Sequence, residues 1–286
     1  MPGAVLNKRD TMLKPVTPRQ GTVVYPQASS THRTIQAYAP TAELAPFVEY
    51  FWVVRWDVDD PQVSQTIPQP RIHLTIEGDQ VLVYGIDRKQ FKRELAGAGV
   101  VLGTAFRPAG FRAFVECPLS TLQDRVVPAA SLFREPFTPP AFSDPTDAEL
   151  VSFAESLLIA QQPAPDPLAA WCHDLVQRAD EDREITQVRQ LAAIAGTSER
   201  SLQRRFNDYV GATPKWVIQR SRIMSLVADC NAGMRLDWAR TAIDLGFADQ
   251  AHLIRVFRDI VGVTPDLYMR RIQEYERGGL RSAKSR

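Results

Sequence analysis

No apolar run in the 286 residues approaches the ~18–20 needed to span a bilayer, so the sequence predicts no membrane-crossing helix. The first twenty residues carry basic side chains but neither an apolar segment nor a small-residue cleavage site, which argues against a secretory signal. Cysteine is sparse and odd in number: Cys117, Cys172 and Cys230 lie far apart and lack metal-binding spacing. A disulfide framework is excluded, and small buried thiols in a reduced cytoplasm are expected instead. Histidine is scarcer still for a metal site. Only His32, His73, His173 and His252 occur, no two of them close in sequence, whereas a small-barrel metalloenzyme needs two or three converging ligands. Cys172 and His173 are adjacent, but neighbours on a helix point in different directions. A Gly-rich phosphate loop and a serine nucleophile elbow are missing too. The sequence predicts no enzyme, no cofactor and no metal.

What is present is ordinary in bulk and uneven in arrangement. Hydrophobic residues make up 44% and charged residues 23%, as in a soluble globular protein of two domains. The net charge of +1 conceals an asymmetry. Residues 183–286 hold 18 Lys+Arg against 11 Asp+Glu, a net of +7, and residues 1–182 hold 16 against 22, a net of −6. A phosphate backbone attracts the first part and not the second.

Along the chain, residues 1–34 are polar and aperiodic, and read as a flexible arm. Residues 35–142 carry short β-branched and aromatic runs, among them 48–54, 72–76 and 81–84, punctuated by Asp59-Asp60-Pro61, Glu77-Gly78-Asp79 and Gly85-Ile86-Asp87. That spacing predicts a β-rich barrel or sandwich. Residues 44–50 read equally as a short helix entering the strand. The Pro-rich stretch 136–145 closes this domain, and helices are expected over 147–160 and 168–178. Their apolar faces suit either packing on the β-rich domain or a dimer contact, so 143–182 is a helical linker. The fold class is α+β, ending in an all-α domain at 183–272 and a basic tail at 273–286.

The C-terminal domain repeats itself. From Leu202 to Pro214 the chain aligns with Leu253 to Pro265 at an offset of 51, with eight of thirteen residues identical: Leu, Arg, Phe, Asp, Val, Gly, Thr and Pro. Each copy has the physics of helix, tight turn, helix. Gly196 and Gly246 supply left-handed C-caps. Ser198 caps the second helix of copy one, whose apolar face is Leu202 with Phe206, as Leu253 is with Phe257. Gly211 and Gly262 end these helices, and Thr213-Pro214 and Thr264-Pro265 start the next. A joining helix from Pro214 to Cys230 is expected. The exposed face of the second helix offers Arg200, Gln203, Arg204 and Arg205 in copy one, and Gln250, Ala251, Ile254 and Arg255 in copy two. Arginine can bond guanine O6 and N7 together, and glutamine adenine N6 and N7. Because the repeat supplies apolar residues to both copies, residues 184–286 are expected to fold alone.

The segment from about Thr186 to Arg271 resembles the DNA-binding domain of AraC/XylS-type regulators, most specifically at Gly246-Phe247-Ala248-Asp249-Gln250, Arg255-Val256-Phe257-Arg258 and Gly262-Val263-Thr264-Pro265-Asp266-Leu267-Tyr268. The resemblance implies base contacts by Arg200, Gln203 and Arg204 in the first unit, and by Gln250, Ala251, Ile254 and Arg255 in the second. Ala251 and Ile254 are apolar here and would at most touch a thymine methyl. Ala248 stands where the family often has a capping Ser, which removes a cap worth ~1 kcal/mol. Ser198, Arg205, Lys215 and Arg258 are candidate phosphate contacts; the last three serve equally as solvated surface charge. Arg204 and Arg255 have a structural alternative, a salt bridge to a neighbouring helix. Trp216 and Trp238 read as core.

Phe106-Arg107-Pro108-Ala109-Gly110-Phe111 and Asp124-Arg125-Val126-Val127-Pro128 resemble a β-rich domain that accompanies some of these regulators. The resemblance implies a sensor for a small molecule or partner, with Tyr50, Trp52, Trp56, His73 and Arg107 as pocket candidates, residues of a kind that is more often plain core than ligand contact. The expected function is sequence-specific regulation of transcription on double-stranded DNA in the cytoplasm. A small effector, RNA polymerase and a second copy of the chain are candidate further partners. A non-specific architectural binder is the rival reading, and a small-barrel enzyme joined to a DNA-binding domain a remoter one.

Overall fold

The structure is a computed structural model describing residues 13–17, 33–234 and 236–283, with side chains as far as Glu274. Most of the arm expected over 1–34 and part of the tail lie outside the described residues. The N-terminal domain is one antiparallel sheet of six strands, ordered β1-β2-β5-β3-β4-β6: β1 Arg33–Tyr38, β2 Val48–Thr66, β3 His73–Glu77, β4 Gln80–Tyr84, β5 Phe91–Phe106 and β6 Val126–Pro128. Residues 14–16 extend its edge: Val16 N donates to Ala37 O and Ala39 N to Lys14 O. The sheet is open and layered rather than a closed barrel. Residues 42–47 form a turn leading into β2, not a helix, with Val48 N donating to Leu44 O.

Period-two alternation gives the sheet two unlike faces. Phe51 and Val53 on β2, Leu74 and Ile76 on β3, Val81 and Val83 on β4, and Leu102 and Phe106 on β5 enter the main core. Helices α1 (Asp147–Ala160) and α2 (Pro167–Glu181) bury Leu150, Ala154, Leu158, Cys172, Leu175 and Val176 in that same core, so their apolar faces are used within the chain. Arg55, on the core-facing register of β2, reaches Asp147 at the start of α1 at 2.8 Å. Thr146 and Glu149 form a reciprocal capping box there.

The other face carries Tyr50, Trp52, Val54, His73, Thr75, Tyr84 and Val101. Trp52 pairs across the ladder with Gly103, and Trp56 with Gly99. A Cβ on Gly103 would lie 2.0 Å from the Trp52 indole, so glycine is what lets the ring lie flat on β5. The β2–β5 ladder shifts register between Val58 and Gln62, beside Pro61. The shift is even, so alternation is preserved across it and Ser64 and Thr66 line the same cavity as Trp52.

The remaining helices are α3 (Val188–Ile194), α4 (Glu199–Arg205, continued by a wide π turn through Val210), α5 (Pro214–Asn231), α6 (Trp238–Asp244), α7 (Gln250–Val261) and α8 (Pro265–Ala283). The helix ends follow the sequence reading. Gly196, Gly211, Gly246 and Gly262 all have positive φ, and the Thr213 hydroxyl caps α5 by accepting from Trp216 N.

The two halves of the repeat differ in what they pack on. Leu191, Leu202, Phe206, Val210, Val217 and Ile218 belong to the same continuous core as the sheet and α1–α2. The second unit has a separate core, Ile223, Leu226, Val227, Cys230, Phe247, Leu253, Phe257, Val261 and Tyr268, which takes in only Ile67 from the N-terminal domain. The expectation that 184–286 holds its own core is therefore corrected for the first unit: truncation would bare a face that the N-terminal domain covers.

Candidate nucleic-acid interface

The repeat aims the same turn of each unit at the N-terminal domain. Gly211 ends the π turn that continues α4 with φ 87°, and its missing Cβ would stand 3.0 Å from Leu119 O. Gly262 ends α7 with φ 87°, and a Cβ there would strike the Gln90 side chain. Gln90 donates from its backbone N to Asp259 O at 2.9 Å and from Nε2 to Val261 O at 2.7 Å. Around Gly211, Arg112 pairs with Asp208 at 3.3 Å and Tyr209 donates its hydroxyl proton to Asp166 at 2.8 Å. The joining helix α5 is held as well. Arg220 donates to Pro68 O and pairs with Asp180, Ser221 donates to Ala179 O, and the buried Arg222 donates to the same carbonyl. Trp216, half-buried, donates from its indole to Arg88 O at 3.4 Å, so it lies at this junction rather than deep in a core. Trp238, also half-buried, donates to Asp266.

Docking by these turns leaves the opposite faces of α4 and α7 free. Arg200, Gln203 and Arg204 are exposed, at i, i+3 and i+4 on α4. Gln250, Ala251 and Arg255 are exposed on α7, and Ile254 is half-buried. Behind them Leu202 and Phe206, and Leu253 and Phe257, are fully buried. Among the described residues, nothing forms an ion pair or hydrogen bond with the side chains of Arg200, Gln203, Arg204, Gln250 or Arg255. The structural salt bridge considered for Arg204 and Arg255 is thus not formed among the described residues.

The candidate phosphate contacts fall into two groups. Ser198, Lys215 and Arg258 are exposed; the Ser198 hydroxyl accepts from Ser201 N as the cap of α4. Arg205 is half-buried and turned inward, with its guanidinium 4.9 Å from the Trp171 ring centre on α2. A cleft of about 600 Å³ runs between the two units, lined by Arg189, Glu199, Lys215, Gln219, Arg222 and His252 among others. Arg189 went unremarked in the sequence because it lies on the first helix of the unit, which carries no base-reading signal. One correction concerns the cap of α7. Asp249, not residue 248, is the cap, accepting from His252 N at 2.7 Å, so Ala248 removes nothing.

Three of the five sensor candidates line one cavity. Tyr50, Trp52 and His73 line a cavity of about 230 Å³ on the side away from the main core. Trp56 sits in a small cluster with Val58, Leu95 and Val101, and Arg107 is tied to Ala45 O at 2.8 Å. His73 is half-buried as a residue, but its Nδ1 is shut off from solvent. Burial pushes its imidazole down to about 3, and the nearby Arg71 charge acts in the same direction. The unfolded chain takes up a proton near 6.5 that the folded chain refuses. The contribution to stability is therefore complete above about pH 6.5 and lost as pH falls from there toward 3. Stability measured by urea unfolding should fall less steeply between about pH 6.5 and pH 5 in His73→Gln than in the parent. Equal slopes would show that His73 does not carry the dependence.

Residues 191–271 match the family described as a helix-turn-helix domain. The C-terminal domain is a helix-turn-helix domain. Residues 36–128 match a domain of unknown function, DUF6597, which is the sheet domain up to β6. Among solved structures, this chain is similar to the DNA-binding domain of AdpA, a global transcriptional factor crystallised with a target DNA, at 24% identity over 39% of this chain and 96% of that one, TM-score 0.31. It is similar to ToxT from Vibrio cholerae at 12% identity over 83% of this chain and 98% of that one, TM-score 0.36. It is also similar to the C-terminal domain of AraT, a response regulator from Geobacillus stearothermophilus, at 18% identity over 37% of this chain and 85% of that one, TM-score 0.30. No curated protein matches the chain. No helix among the described residues is long and apolar enough to cross a membrane.

Proposed function

We propose that the chain is a sequence-specific DNA-binding regulator of transcription whose AraC-type domain reads two adjacent major-groove segments and whose sheet domain acts as the sensor. The observation that carries this reading is the pair of exposed polar faces on α4 and α7, presented by equivalent helices of a 51-residue repeat. Base reading falls to Arg200, Gln203 and Arg204 in the first unit. Gln250 and Arg255 read in the second, with Ala251 and Ile254 against thymine methyls. Phosphate contact falls to Ser198, Lys215 and Arg258, with Arg189 added from the cleft, and to Arg205 only if it leaves Trp171. Such a regulator works where its DNA is, which places it in the cytoplasm. The 18 residues of α5 span about 27 Å, of the order of the roughly 34 Å between successive turns of one groove face.

The test is selection from a random duplex library by the full chain at ~150 mM salt, where non-specific binding is weak. A recovered consensus that competes at least about a thousandfold better than random DNA is expected of a specific regulator. Enrichment of no sequence, with tight binding to all duplexes, would assign the chain to the architectural class instead.

A further inference from the structure

The cavity on the outer face of the sheet is built, not incidental. Its floor is aromatic and aliphatic: Tyr50, Trp52 and Val54 of β2, Tyr84 of β4, and Phe91, Leu95 and Val101 of β5. Packing leaves such a face bare at a cost, since apolar area gains roughly 25 cal/mol per Å² when removed from water. The indole of Trp52 is laid flat by Gly103 and meets His73 edge-on at 6.3 Å. At one end stands Arg71, 9% exposed. It pairs with Glu49 at 2.7 Å, yet its buried Nε donates to nothing among the described residues. The buried Nδ1 of His73 has no partner either. A buried donor left unmade carries a desolvation cost that an acceptor supplied from outside recovers. Arg33 and Arg93 also line the wall, Arg93 already paired with Glu77, and Asp87 is the one lining carboxylate among the described residues. At about 230 Å³ the cavity is below the ~300–1,000 Å³ of drug-sized sites, which limits the occupant to about one ring.

Position makes the cavity consequential. Its rim includes Ile67, Pro68 and Gln69. Ile67 is buried in the core of the second helix-turn-helix, and Pro68 O accepts from Arg220 of α5. Arg71 and Gln69 also line the cleft on the far side, with Asp180, Arg220 and Ser221. Asp87 and Phe91 flank Gln90, which holds the end of α7.

We propose that this cavity binds a small planar aromatic carboxylic acid, its ring on Trp52 and its carboxylate on Arg71. The inference rests on the sensor reading of the sheet domain and gives that sensor its ligand class. A carboxylate can accept from Nε and a second guanidinium nitrogen together, the bidentate geometry for which arginine is suited. Bound there it competes with Glu49 for a side chain that forms the wall between the cavity and the α5 contact.

The test uses the full chain and trans-cinnamate as probe, with cinnamamide as its uncharged counterpart, followed by tryptophan fluorescence and by thermal shift without DNA. Cinnamate should saturate one site, with cinnamamide at least tenfold weaker. Arg71→Gln should weaken cinnamate at least tenfold while leaving cinnamamide nearly unchanged. Because loss of a buried ion pair can unfold the domain, Val54→Trp provides a second arm: it fills the cavity, keeps Arg71, and should abolish binding of both probes with the far-ultraviolet spectrum intact. Equal affinity for the two probes, full binding by a folded Val54→Trp, or no binding of cinnamate to the folded parent would each overturn the proposal. Operator affinity is then measured with cinnamate saturating. A changed affinity supports both readings, whereas an unchanged one leaves the site standing and removes the sensor role.

Discussion

Phe206→Ala should destabilise the protein by about 3–5 kcal/mol and bring down the sheet together with the first helix-turn-helix. Phe206 is fully buried, and its cluster runs without a break from Leu202 and Val210 through α2 to β3 and β5. An alanine there leaves a cavity that neighbours cannot collapse into, because the flanking turn is pinned by Gly211 on Leu119 and by Tyr209 on Asp166. Phe257 occupies the equivalent place in the second copy and is as deeply buried, but its cluster reaches the sheet domain only through Ile67. Phe257→Ala should therefore cost a similar amount locally while the sheet stays protected. Hydrogen exchange of β3 and β5 amides separates the two cases. Faster exchange there in the Phe206 variant only is the expected pattern. Equal effects of the two variants on the sheet would contradict the division of the core.

Arg204→Ala and Gln203→Ala should each weaken binding to the selected site by ~1–3 kcal/mol, about 5- to 150-fold, and relax preference at one or two base pairs. Both side chains are exposed and without a partner among the described residues, so the substitutions leave folding alone and the loss is one of readout. Lys215→Ala provides the contrast. A phosphate contact is blind to sequence, so affinity should fall on all duplexes and the salt slope should drop by about one counterion. Arg205→Ala should do neither first: its guanidinium stacks on Trp171, and its loss appears as lower stability. Binding measured against salt concentration and against single-base variants of the site distinguishes the three behaviours. A uniform loss from Arg204→Ala, with base preference kept, would remove it from the reading set.

What the sequence made legible follows from the repeat. Because the two copies align residue by residue, the helix ends, the left-handed glycines and the Thr-Pro starts could all be placed by local chemistry, and local chemistry is what fixes them. The same offset of 51 sets Asp249 on Ser198, so the cap of α7 is legible in the repeat as well. The long β2–β5 hairpin was harder. Residues 59–66 are polar and contain Pro61, which reads as loop, yet they form the outer half of β2, paired on β5 across the register shift. Least legible was the docking of the two units. It runs through backbone carbonyls at Pro68, Ala179 and Val261 and a close approach of Gly211 to the Leu119 backbone, and a main-chain contact leaves no mark in side-chain pattern. Arg71 and the cavity share that difficulty, since period-two alternation names a face but not whether anything covers it.

The docking bears on how the two reading helices act together. The N-terminal domain grips the C-terminal end of each reading helix, at Asp208–Gly211 and at Asp259–Gly262, while α5 is anchored to α2 between them. Their separation is thus set by three contacts outside the helix-turn-helix units themselves. That makes spacing on DNA the quantity in which the whole account meets. Footprinting of the full chain on its selected sites at base-pair resolution measures it directly. Two protected major-groove segments centred about 10–10.5 base pairs apart, the stronger preference lying under Arg200 to Arg204, are the predicted result. A single protected segment, or protection without base preference, would contradict it.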